Sequence, residues 1–178
     1  MNSSKADALK LLKTTPAITY FMSGVSQNQI IEALYSRDMN VGLNARNINL
    51  KQRLPLLRRM GKDKNYHGRI FIDSGAFGEL EFRQKNGRGF GDGEWKQIFN
   101  VYDEIVSVFP SERVYIVAPD RIFFKEQTRS AEADTLARIE KYGKRVKALY
   151  QSGAKVIAAV QNSDWNVGYE RLKRVMTF

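Results

Sequence analysis

Three short apolar runs in this chain break off in the same manner. Ile70-Phe71-Ile72 runs into Asp73 and Ser74, Val114 to Ala118 into Pro119 and Asp120, and Val156 to Val160 into Gln161 and Asn162. Each run is too short for a helix and apolar on both of its faces, the mark of a fully buried strand. Helical stretches separate them. Residues 93–110 bring Trp95, Ile98, Phe99, Tyr102, Ile105, Val106 and Phe109 to one side of a helix that Pro110 ends, and a second helical region fills about 125–151 before Ser152-Gly153. Buried strands alternating with helices require a parallel sheet covered on both faces. The predicted class is therefore α/β.

The preceding chain is less regular. A helix over Ala6 to Lys13, a strand over 17–24, a helix over 26–37 capped by Ser26, and a helix over 50–61 around Pro55 and closed by Gly61 are expected. Residues 40–49, rich in Asn and Gly, have no clear period and read as loop with at most a short strand. A last helix is expected over 166–176. The strands beginning near Ala17, Arg69, Arg113 and Lys155 make four βα units. At 178 residues the chain suits one domain, 1–178.

Charge and composition narrow the chemistry. Ten net positive charges attract polyanions, and from Leu50 to Arg69 seven Lys and Arg face the single Asp63. A solvated helix face explains such a run equally well. With no cysteine and one histidine, His67, disulfides, thiolate sites and His-pair zinc motifs are excluded. No apolar window of about 18 residues occurs and the first 15 residues lack a signal core, so a protein of the cytoplasm, without a membrane partner, is expected.

In parallel βα folds the ligand site lies beyond the carboxyl ends of the strands. Asp73, Asp120 and Gln161 therefore fall on one rim. Taken singly, each has a local alternative, as a helix cap or a partner for loop amides. Gly75 and Gly78 would let backbone N–H groups approach a ligand, Phe77 offers a flat apolar surface, and an aspartate can accept two N–H bonds from a purine edge. A planar ligand fits this set.

The runs "IFIDSGAFGEL", "YIVAPDRI" and "VIAAVQN", in this order and at strand ends, resemble the tRNA-guanine transglycosylase family. They are most similar to its branch that inserts 7-deazaguanines into DNA, often encoded by phages. The resemblance covers about residues 17–165. It implies a TIM-type (β/α)8 barrel and exchange of guanine in a polynucleotide, DNA rather than tRNA, for a 7-deazapurine base in a bacterial or phage-infected cell. It implies proton handling at the purine by Asp73, a pocket lined by Ser74, Gly75 and Phe77, a grip on the purine's pyrimidine edge by Asp120, and a pocket glutamine at Gln161. No cofactor is implied. Ala76, Gly78 and Asn162 depart from the tRNA branch and favour the DNA branch.

A closed barrel needs eight units and typically about 250 residues. About half is present, and the family's nucleophilic aspartate has no position to occupy here. The resemblance thus implies an N-terminal part completed by a second chain, or a truncated relative, and as partners that second chain or a homo-oligomer. Lys85 and Arg88, in a Gly-rich basic stretch, and Arg121 are candidate contacts to the polynucleotide backbone, with local ion pairs as the alternative. Two other functions stay open: a non-catalytic nucleic-acid-binding or partner subunit derived from the family, and a metal-assisted enzyme using Asp73 and Asp120 as oxygen ligands.

Overall fold

The computed structural model describes residues 21–22, 27–122 and 128–159. Its elements are α1 (Asn28–Tyr35), β1 (Val41–Asn44), α2 (Leu50–Lys62), β2 (Ile70–Asp73), α3 (Ala76–Asn86), α4 (Asp92–Val108), a 3-10 turn (Ser111–Arg113), β3 (Val114–Val117), α5 (Thr128–Lys141), α6 (Gly143–Gln151) and β4 (Lys155–Ile157). The strands form one parallel sheet in the order β1-β2-β3-β4. The α/β class holds. The expected helix over 6–13, most of the strand over 17–24, Gln161 with Asn162, and the helix over 166–176 lie outside the described residues.

Strand periodicity divides the sheet. Val41, Ile70 and Val114 share one row and Leu43, Ile72 and Ile116 the next, and all six are buried in the core together with side chains of α2, α4 and α6. On the opposite face Gly42, Phe71, Tyr115 and Lys155 lie in register. Phe21 packs on Phe71 and Tyr115 there, ring centroids 5.4 and 5.5 Å apart. By the two-residue alternation of a strand, Asp73 belongs to this second face with Phe71.

The structure refines the sequence reading at three points. The short strand allowed for within 40–49 is present at 41–44, paired with β2 from Val41↔Ile70 to Asn44↔Asp73, and Met22 bridges to Val41 on its other side. β1 therefore adds a strand to the three expected ones that lie among the described residues. After Asp73-Ser74-Gly75 the chain enters α3, a helix not read from the sequence, which begins at Ala76 with Phe77 and Gly78 in its first turn. The region 125–151 is two helices, α5 and α6, parted at Tyr142. Asn49 caps α2, its side chain accepting from the Gln52 N–H, and Pro55 is carried within the helix because Leu57 and Met60 are fully buried. Burying two such side chains contributes about 3–6 kcal/mol against about 3 for an interior proline.

Gly61 does not close α2. It lies inside the helix at the crossing with α4, where an added Cβ would stand 2.2 Å from the Val108 carbonyl oxygen. Glycine is needed for this close approach. In an ordinary helix Gly→Ala stabilises by about 1 kcal/mol; here Gly61→Ala is expected to destabilise by about 1–3 kcal/mol through overpacking. Denaturant melts of the two proteins measure this, and a stabilised variant would contradict the packing described.

Candidate functional site

The carboxyl ends of β1, β2 and β3 carry Asn44, Asp73-Ser74 and, two residues beyond the apolar run, Asp120. Parallel register sets the first pair side by side, and Asn44 Nδ2 donates to Asp73 Oδ2 at 3.3 Å. The same oxygen accepts the Gly75 N–H at 3.0 Å. Gly75 is left-handed, φ 84°, and this turn lets the chain pass from β2 into α3 within two residues. An added Cβ would lie 3.0 Å from Arg46 Cβ. Asp73 is half-buried, and its Oδ1 takes no hydrogen bond among the described residues.

Ser74 faces the other way. Fully buried, it donates through Oγ to Asp120 Oδ1 and accepts the Ala76 N–H at 3.2 Å. Asp120 is 6% exposed. Burial is the main cause that raises its carboxyl pKa to about 6; the Asp73 charge adds to the rise, while the Ser74 bond and Arg138 oppose it. Tyr102 lies beneath, donating to the Val117 carbonyl at 2.9 Å, its phenol held neutral by burial and by both aspartates. Ser74 thus ties Asp120 to the strand end that carries Asp73, whose own carboxylate bonds Asn44 and the Gly75 N–H, and the two acids sense each other electrostatically.

A buried ion pair fixes this arrangement from behind. Arg138 of α5 grips Glu79 of α3 with two parallel bonds, 2.5 Å to Oε2 and 2.6 Å to Oε1, and also donates to the Asp120 carbonyl at 2.7 Å. Glu79 Oε1 accepts the Phe90 N–H at 2.7 Å. The guanidinium lies 5.2 Å from the Trp95 ring centroid. Sequence reading missed Glu79, Arg138 and Asn44. Asn44 carried a usable signal, since Val41 to Leu43 runs into a polar end as the other strands do.

The remaining candidates divide. Phe77 projects from the first turn of α3, 63% exposed, and Gly78 follows it beside Arg46. Lys85 is exposed in the last turn of α3. Arg88 bonds Glu94 at 2.9 Å, and that bond, with the Gly91 N–H, holds the Glu94 carboxyl at about 2. Arg121 pairs with Asp134 and its side chain is only 14% exposed. Gln161 is outside the described residues. Among those described, no group of three or more His, Cys, Asp or Glu stands close enough to share a metal ion, and no helix is long and apolar enough to cross a membrane. No family model, curated protein or solved structure matches the chain.

The Asp120 environment has a pH signature. An acid whose pKa is higher in the folded state contributes stability in full below its unfolded value, about 4, and loses it as pH rises through about 6. Two units correspond to on the order of 3 kcal/mol. The wild type is expected to lose stability relative to Asp120→Asn across this window, measured as the difference between their Tm profiles. Parallel profiles would remove the buried acid from the account.

Proposed function

We propose that this chain belongs to a base-exchanging transglycosylase that replaces guanine in a polynucleotide, DNA in preference to tRNA, by a 7-deazapurine, and that it acts inside the cell. The observation that carries the proposal is the Ser74–Asp120 bond, which ties the carboxyl end of β3 to that of β2, where Asp73 stands, with one oxygen of each acid uncommitted among the described residues. The runs that resemble the family are the ones that supply these groups.

The chemistry divides between the two acids. Ionised Asp120 accepts the N1–H and N2–H of guanine, which no other common base presents together along one edge. Asp73, half-exposed beside the left-handed turn, contacts the reacting nucleoside and moves a proton at the purine. A carboxylate that attacks the anomeric carbon is still required for exchange with retention. It is supplied by a second chain that continues the sheet. The sequential strand order β1-β2-β3-β4 supports such a continuation, since it is the winding of a (β/α)8 barrel rather than of a sheet that reverses its direction.

Asp73→Asn is expected to abolish base exchange, with the affinity for DNA nearly unchanged. Nucleoside analysis of DNA incubated with the protein, the completing chain and a deazaguanine base reads the first quantity, and filter binding the second. Loss of both together would make Asp73 structural, and an active variant would end its assignment to proton transfer.

Because Asp120 must be ionised to accept two N–H bonds, guanine binding should weaken as pH falls through about 6. Calorimetric titration with the free base tests this, and pH-independent binding would place the base elsewhere. A non-catalytic nucleic-acid-binding subunit is the second reading; it is favoured by the lack of a third acid grouped with Asp73 and Asp120 among the described residues, and it predicts DNA binding without exchange under every pairing of chains.

A further inference from the structure

A cleft of about 370 Å³ lies between the loop after β1, the start of α2 and the outer side of α4. Its floor is apolar, formed by Ala45, Ile48, Ile98 and Val101. Its walls carry Arg46, Lys51, Gln97 and Asn100. Neither Arg46 nor Lys51 forms an ion pair among the described residues, and the Gln97 and Asn100 carboxamides make no hydrogen bond there. The one acid at the edge, Glu94, is already engaged by Arg88 and by the Gly91 N–H. Two cations and two amides therefore line one cleft with an apolar floor, their side-chain donors unspent among the described residues.

Arg46 connects this cleft to the rim. Its guanidinium lies 5.0 Å from the Phe82 ring centroid and 4.6 Å from that of Phe90, which holds it in place without neutralising it. Its stem passes beside Gly75 and Gly78, where an added Cβ would meet Arg46 Cβ at 3.0 Å and Cδ at 3.4 Å. One arginine thus forms a wall of the cleft on one side and borders the turn after Asp73 on the other.

We infer that the cleft is a phosphodiester subsite: Arg46 and Lys51 hold the backbone phosphate of a nucleotide adjacent to the one whose base enters the Asp73–Asp120 site, and Gln97 and Asn100 donate to the same group or its sugar. The inference rests on the base-exchange reading for the identity of the neighbouring site, while the cleft's own chemistry needs only an anion. A phosphate here neutralises two adjacent cations at once, and the apolar floor accommodates the flat face of a sugar or base.

The test uses the full chain and a fluorescein-labelled single-stranded DNA containing one guanine, with affinity followed by anisotropy over a salt series. Lys51 is exposed and outside the core, so Lys51→Gln leaves the fold intact. It is expected to flatten the dependence of log K on log salt by about 0.7, one single-strand phosphate. Lys62→Gln, in the separate basic cleft beside Arg58 and Ser107, is expected to leave it unchanged. In a second arm, one methylphosphonate replaces the linkage on either side of the guanine. The neutral linkage should weaken binding to the wild type and have no effect on Lys51→Gln.

An unchanged salt slope together with indifference to the methylphosphonate overturns the subsite. So does displacement at Lys51 by inorganic phosphate or guanosine monophosphate, seen in NMR shifts, with no methylphosphonate effect: the cleft would then hold a free anion. Failure of the base-exchange reading looks different. DNA would keep its guanine while the Lys51 and methylphosphonate effects remain.

Discussion

Glu79 and Arg138 hold together parts of the chain that have little else in common. Their paired bonds connect the helix after β2 to the helix after β3, and the leftover capacity of each goes to backbone: Glu79 to the Phe90 N–H, Arg138 to the Asp120 carbonyl. Moving both ions out of water is costly, and that cost is recovered only with full hydrogen bonding and good geometry. Here both conditions are met, and Trp95 lies against the guanidinium. Separating the two would leave an uncompensated buried charge directly behind the rim. The position of Asp120, and through Ser74 its relation to Asp73, is thus set by groups that touch no ligand.

The same economy governs much of the positive charge. Arg113 donates to the Gly68 carbonyl at 2.9 Å and lies over Tyr66 and Phe109, Arg88 lies over Phe82, and Arg145 lies over Phe99 while pairing with Asp103. Guanidinium groups stacked on rings contribute about 0.5–1 kcal/mol each at exposed sites. They cement loops and helices to the core as well as adding to the field around the protein. A formal charge of +10 therefore overstates how many cations are available to a polyanion. The useful distinction is between arginines already bonded, such as Arg121 and Arg138, and those whose donors are unspent, such as Arg46.

What the sequence disclosed follows from the same physics. The strands over 70–73 and 114–117 and the helix around Trp95 were legible because their buried positions are apolar and repeat at the strand or helix period. Helix α3 was not, because the residues it buries are Ala76 and Glu79; a helix whose inward face includes a carboxylate shows no apolar stripe. β1 was obscured by Gly42 and by its shortness, and with it went Asn44. Gly61 read as a stop signal because close approach of a distant backbone leaves no local trace. Asp73, Ser74 and Asp120 were recognisable as polar ends of buried strands, yet the hydrogen bond between the last two depends on a separation of 46 residues that only the sheet closes.

The order β1-β2-β3-β4 also bears on how the chain reaches its native state. Each strand's partner is the next one to be made, so no segment waits for a distant one before it can pair. The entropy of closing each crossover grows only with the logarithm of its length, and it is met one unit at a time. A chain emerging from the ribosome can therefore add strand to strand in the direction of synthesis, with each new helix covering a face of the growing sheet. Assembly of the acidic rim comes late in that sequence: Asp120 and Arg138 arrive after Ser74 and Glu79 have been waiting on the growing sheet.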